Sequence, residues 1–197
     1  MRLLDRSLSR LPRPLRTLVD WCLTITLAVV GVLAFQAEVA KPFRIPTGSM
    51  EPTLHCGGSG DGCRARLSDR VLANRIVYRL HAPERGDIVV FETPDAARSA
   101  CGTGGTFVKR IVGLPGERIS MRDGVVLVDG VRLPEPYLRA SYRGRETGEW
   151  LAGDGYFVLG DNRARSCDSR RWGAVPRERI VGRVDLRYWP PGRIGDP

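Results

Sequence analysis

Ser49 stands in Pro-Thr-Gly-Ser-Met-Glu-Pro-Thr-Leu (46–54), between two prolines and next to a glycine. Pro46 fixes its own φ and pushes Ile45 toward an extended backbone. Gly48 adopts torsions closed to other residues and leaves room for a substrate chain beside Ser49. So stiff a setting suits a nucleophile, and a nucleophilic serine needs a base. His55 lies in a Gly-rich polar stretch and His81 precedes Ala-Pro in a turn, so both read as surface-loop residues. Arginine stays protonated and cannot serve. Of 31 Lys+Arg, only Lys41 and Lys109 are lysines. Lys41 follows an apolar segment, where an interfacial charge is the ordinary explanation. Lys109 lies in Thr-Phe-Val-Lys-Arg-Ile-Val-Gly-Leu-Pro-Gly (106–116), a β-rich apolar run closed by turn residues. Burial there disfavours the ammonium and draws its pKa from about 10.4 toward neutrality. Alone, Lys109 would read as a strand-end lysine reaching for solvent; beside the Ser49 segment it reads as a base. A third segment, Gly-Asp-Asn-Arg-Ala-Arg-Ser-Cys-Asp-Ser-Arg-Arg-Trp-Gly (160–173), is dense in turn formers and carries side chains able to orient a neutral amine. Its plainer reading is an Asx-rich loop clamped by an Asp168–Arg170 ion pair.

Together these segments resemble the bacterial type I signal peptidases, membrane-anchored Ser/Lys proteases that remove signal peptides from secreted proteins. The likeness rests on an N-terminal anchor followed by boxes at 43–54, 86–91 (Gly-Asp-Ile-Val-Val-Phe), 107–117 and 160–173. It implies Ser49 as nucleophile and Lys109 as general base. It implies Thr47 as the hydroxyl that joins the Ser49 N–H in an oxyanion hole, and Ser166 as the hydroxyl that bonds the lysine amine. It also implies Asp168 and Arg170 as a supporting pair. Shallow pockets lined by Phe43, Ile45, Met50, Leu54, Phe107 and Val108 would select Ala-like side chains at the first and third positions before the cut; without the likeness these residues read equally well as core. No metal or cofactor is implied. Secretory precursors are the implied partners, with the bilayer. Residues 55–67 look inserted relative to shorter members, and the short region between the last two boxes leaves no room for the large second domain of some members.

The elements that must hold these boxes read as mainly β. Residues 70–75, 88–92, 106–112, 118–121, 125–128, 155–159 and 180–188 are β-rich and separated by Gly, Pro and Asp. Arg-Asp-Gly between apolar runs at 121–131 signals a hairpin. This pattern predicts an antiparallel barrel or coiled sheet, and the resemblance implies the signal-peptidase-like β fold shared with self-cleaving repressor proteases. The tail from Trp189 is turn-rich and expected to fray. At 197 residues the chain has room for one moderate domain beyond an anchor. Net charge is +9, yet Arg is spread along the chain with no aromatic-interleaved basic motif, which argues against nucleic acid.

From Trp21 to Ala37 there is no charged residue, and the stretch 18–40 reaches about 30 Å as a helix. Arg2, Arg6, Arg10, Arg13 and Arg16 precede it against Asp5 alone, which places the N-terminus in the cytoplasm. A cleaved signal peptide has a similar layout, but this run is longer than a usual apolar region and lacks a clear Ala-x-Ala before a polar start. The expected organisation is a basic cytoplasmic end (1–17), a single-pass anchor in the bacterial cell membrane (18–40) and an extracytoplasmic catalytic β domain (41–197). In that oxidising space Cys56 and Cys63, which bracket a short flexible loop, are disulfide candidates. Cys101 and Cys167 are a second candidate pair, with a free Cys167 beside Ser166 as the competing reading. Two further classes stay open. A self-cleaving repressor-type protease would need a DNA-binding motif and no span. A non-enzymatic anchored β domain would be favoured by loss of Ser49 or Lys109, and both are present.

Overall fold

The computed structural model describes residues 12–58 and 62–197, omitting the side chains of 36 and 37. Arg2, Asp5, Arg6 and Arg10, used above for orientation, lie outside it. The chain divides into two compact units, one ending at Val39 and the other spanning Ala40–Pro197. The first contains α1 (Arg13–Glu38), which starts with Pro at its first turn and carries 23 residues, Arg13–Phe35, apolar enough to cross a membrane.

The second unit is built from two antiparallel sheets. β1 (Ala40–Arg44), β2 (Arg70–Asn74), β3 (Ile88–Glu92), β4 (Thr106–Gly113), β9 (Phe157–Leu159) and β10 (Ile180–Trp189) form the larger, in the order β1-β2-β10-β3-β4-β9. β5 (Arg118–Arg122), β6 (Val125–Val128), β7 (Val131–Arg132) and β8 (Gly148–Leu151) form the smaller, in the order β7-β6-β5-β8. The fold is mainly β, as the pattern predicts. The short strands β1, β7 and β8 add to the predicted set. Apart from the buried Ala40, their residues are exposed or half-exposed and carry little period-2 signal.

Alternation places the core. On β3, Val89 and Phe91 face a cluster with Ile111, Val158 and Trp172, while Ile88 and Val90 face one with Ile45, Met50, Leu54 and Val71. A sheet covered on both faces explains the unbroken Ile-Val-Val-Phe run. The predicted hairpin is a two-residue turn: Asp123 and Gly124 both have positive φ, and Arg122 pairs with Val125. Asp129-Gly130 repeats the same turn between β6 and β7. Asp-Gly is the pair such turns favour, because both central residues must be left-handed. The tail is not frayed: Arg187 and Gly195 exchange both backbone hydrogen bonds, at 2.9 and 3.0 Å. Two disulfides are present, Cys56–Cys63 and Cys101–Cys167.

Candidate active site

Ser49 sits in a single turn, Gly48–Met50, within the long β1–β2 connection. Lys109 sits mid-way along β4, directly opposite Val89 of β3. Strand alternation puts Phe107, Lys109 and Ile111 on one face of the sheet. Only 3 % of Lys109 is exposed. Its Nζ donates to Ser49 Oγ at 2.6 Å and to the Val108 carbonyl at 3.2 Å, and lies 5.4 Å from the centre of the Phe107 ring. Burial lowers the Lys109 pKa to about 8; the carboxylates of Asp168 and Asp161 oppose the drop and Arg170 adds to it. Thr47 Oγ1 lies 3.5 Å from Ser49 Oγ.

The Gly-Asp-Asn loop grips the Ser49 turn. Asn162 donates from its backbone N–H to the Ser49 carbonyl and from Nδ2 to the Gly48 carbonyl, both at 3.0 Å. Gly160 makes this approach possible, since a Cβ there would strike both Ser166 Oγ and the Ser49 carbonyl. Asp168 caps the short helix α4 (Ser169–Trp172) and accepts from Arg170 Nε at 2.7 Å and Nη2 at 2.9 Å. The same Arg170 Nη2 donates to the Ser166 carbonyl at 3.1 Å, so the pair holds the loop that presents Ser166. The Ser166 hydroxyl itself is buried with no hydrogen-bond partner among the described residues. The expected bond between Ser166 and the lysine amine is therefore not formed here. Lys109 turns toward Ser49 and the Val108 carbonyl instead.

An open cleft of about 560 Å³ runs past this pair. Phe43, Ile45, Met50, Phe107 and Val108 all line it. Leu54 does not: it is 0 % exposed and packs with Val71 and Ala73 inside the larger unit. The Cys101–Cys167 bridge also lines it. No group of His, Cys, Asp and Glu suited to a metal occurs among the described residues.

Two supports escaped sequence reasoning. Asp161, fully buried, takes a two-bond fork from Arg110 (3.0 and 2.7 Å) and a bond from the Thr53 hydroxyl, tying the Lys109 strand to the Ser49 loop. Arg163 and Glu135 form a second buried pair. Only the adjacency of Asp161 to Asn162 hints at its role; the partners lie dozens of residues away. His55 is not a bare loop histidine either, because its Nδ1 meets the buried Glu51.

Comparisons with known proteins show the family. The family described as "Signal peptidase, peptidase S26" matches residues 18–189. A Synechocystis protein named "Probable signal peptidase I-2" is 40 % identical over 92 % of this chain and 78 % of its own. The signal peptidase I of Leptolyngbya laminosa is 37 % identical over 94 % of this chain and 86 % of its own. A solved signal peptidase I of Enterococcus faecalis shares 33 % identity over 53 % of this chain and 97 % of that one, with a TM-score of 0.42. A serine of stiff backbone, a buried lysine beside it and a match over most of the chain lead to one assignment: this chain belongs to the signal peptidase I family of serine peptidases.

Proposed function

We propose that this chain removes signal peptides with a Ser49–Lys109 dyad, cutting after small side chains outside the cytoplasmic membrane. One observation carries the reading: a fully buried amine with a pKa near 8 lies 2.6 Å from the hydroxyl of a serine held in a stiff turn. Neutral Lys109 takes the Ser49 proton as Oγ bonds to the scissile carbonyl carbon. The Ser49 N–H and the Thr47 hydroxyl hold the oxyanion, each such donor contributing about 3 kcal/mol in comparable enzymes. Collapse breaks the C–N bond; the ammonium returns its proton to the leaving amine, and an acyl-enzyme remains. Lys109, neutral again, then takes a proton from water as the hydroxide adds to the ester; collapse breaks the ester C–O bond, the ammonium returns the proton to Ser49 Oγ, and the signal peptide leaves as its carboxylic acid. The buried, unpaired Ser166 hydroxyl, beside Gly160, is the group that receives the amine when it turns from Ser49.

Phe43, Ile45, Met50, Phe107 and Val108 supply the apolar wall against which small side chains of an extended precursor would seat. α1 serves as the anchor, and the excess of Arg before it orients the N-terminus to the cytoplasm. This assigns 1–17 to the cytoplasm, 18–40 to the bacterial cell membrane and 41–197 to the far side, where secretory precursors emerge. The test is cleavage of a model precursor in detergent by the purified chain, Ser49→Ala, Lys109→Ala and Lys109→Arg. All three variants should be inactive and folded, because arginine keeps the charge but cannot give up its proton. Near-normal cleavage by either lysine variant would sink the proposal.

A further inference from the structure

Both ends of the loop that carries Ser49 meet at one residue. The Ile45 N–H donates to the Asp69 carbonyl at 3.0 Å, and the Asp69 N–H donates to the His55 carbonyl at 2.8 Å. The Asp69 carboxylate accepts the His55 N–H at 2.8 Å. Asp69 is fully buried, so its charge needs a paired cation. That cation comes from the C-terminal tail. Arg193 forks onto the carboxylate, Nε to Oδ1 at 3.1 Å and Nη2 to Oδ2 at 2.9 Å. The same Nη2 donates to the Thr53 carbonyl at 3.1 Å, which Arg187 Nη1 also reaches at 3.2 Å. Arg187 in turn donates from Nε to the Arg193 carbonyl. None of Thr53, Asp69, Arg187 or Arg193 lines the cleft. The two guanidinium groups meet the Ser49 loop at its base, through Asp69 and the Thr53 carbonyl.

We infer that Arg193, acting with Asp69 and Arg187, is a positioning residue for Ser49. The tail clamps the base of the nucleophile loop so that Ser49 Oγ stays within hydrogen-bond reach of Lys109. The inference rests on the Ser49–Lys109 reading above. Its physical weight comes from the narrow tolerance of attack geometry, where a displacement of about 1 Å costs on the order of 100-fold in rate. A clamp that acts only on attack geometry moves kcat and leaves KM alone.

The experiment measures kcat, KM, the pH profile and Tm on the full-length chain in detergent, with a signal-peptide substrate. Arg193→Gln should lower kcat by about tenfold or more with KM held within about twofold. Arg193→Lys, which keeps a cation at Asp69, should restore part of that loss. The acidic limb of the pH profile should not move, since the charges that act on Lys109 are Asp168, Asp161 and Arg170, none of them in the tail. Unchanged kcat with a lowered Tm would reduce the tail to a stability element and overturn the inference, as would a loss confined to KM. If Arg193→Gln does not fold, Arg187→Gln removes one donor to Thr53 while sparing the Asp69 fork. Its kcat must then fall at constant KM for the inference to stand. Ser49→Ala separates the two readings. Full activity in that variant defeats the dyad, whereas an inactive Ser49→Ala beside a fully active Arg193→Gln defeats only the clamp.

Discussion

Lys109 carries the cost of its own burial. In the unfolded chain its pKa is the ordinary 10.5 and in the folded site it is about 8. Between these values the unfolded chain holds a proton that the folded chain has lost, so unfolding takes one up and stability rises with pH. Below pH 8 both forms are protonated and the full penalty of a buried ammonium is present, about 3 kcal/mol for that drop. Lys109→Met, which fills similar space without charge, should therefore be inactive yet more stable by about 2–3 kcal/mol at pH 7. Its advantage should fade toward pH 10.5. Denaturant unfolding at the two pH values measures this, and equal stability of both proteins at pH 7 would refute it. The catalytic counterpart is that kcat/KM of the wild type should rise with pH through about 8. An acidic limb near 10.5 would show that the amine is not desolvated. At this scale the sequence was legible where rarity helped: two lysines and one Pro-flanked serine leave few choices. Leu54 was not legible. A leucine four residues from a turn looks the same whether it lines a cleft or packs on Val71.

The two disulfides differ in what they hold. Cys56–Cys63 closes a short loop whose Gly62 packs on Gly48, against the nucleophile turn; a Cβ on Gly48 would run into the Gly62 backbone. Cys101–Cys167 joins the end of the short helix α3 (Asp95–Cys101) to the loop between Ser166 and Asp168, across 66 positions. Chain-entropy arithmetic gives about 2.5 kcal/mol for the first and about 4 kcal/mol for the second. Replacing Cys101 and Cys167 by Ser should lower stability more than the same change at Cys56 and Cys63, and should lower activity as well, because the lost bridge forms a wall of the cleft. Paired Tm and kcat/KM measurements check this; a larger Tm loss from the shorter loop would contradict it. The hairpins and central strands were readable because Asp-Gly turns and apolar alternation are local signals. The Arg110–Asp161 and Arg163–Glu135 pairs were not. In a chain with 31 cationic residues, no local pattern says which arginine turns inward.

The anchor proposed above and the β domain should make separable contributions. Ala40 already pairs with Asn74, so deleting residues 1–39 spares every strand of the larger unit. The truncated chain should cleave a soluble substrate in detergent at near the full-length rate. It should fall behind on precursors in vesicles, because the anchor confines enzyme and substrate to one surface and raises their effective concentration. Equal rates in vesicles would show that α1 does not bring them together. The tail defied its composition at this scale, since turn-rich residues fray only when nothing distant holds them, and Arg187, Asp69 and Thr53 hold these. The order of the larger sheet has a consequence in time. β10, drawn from the last eighteen residues, lies between β2 and β3. A ribosome delivers it after every other strand, and until it arrives β2 and β3 lack their shared neighbour and the sheet stays split. Chains stalled before Ile180 should be digested quickly by added protease and cut no substrate. On the topology proposed above, a copy whose β10 has yet to emerge cuts none of the precursors beside it.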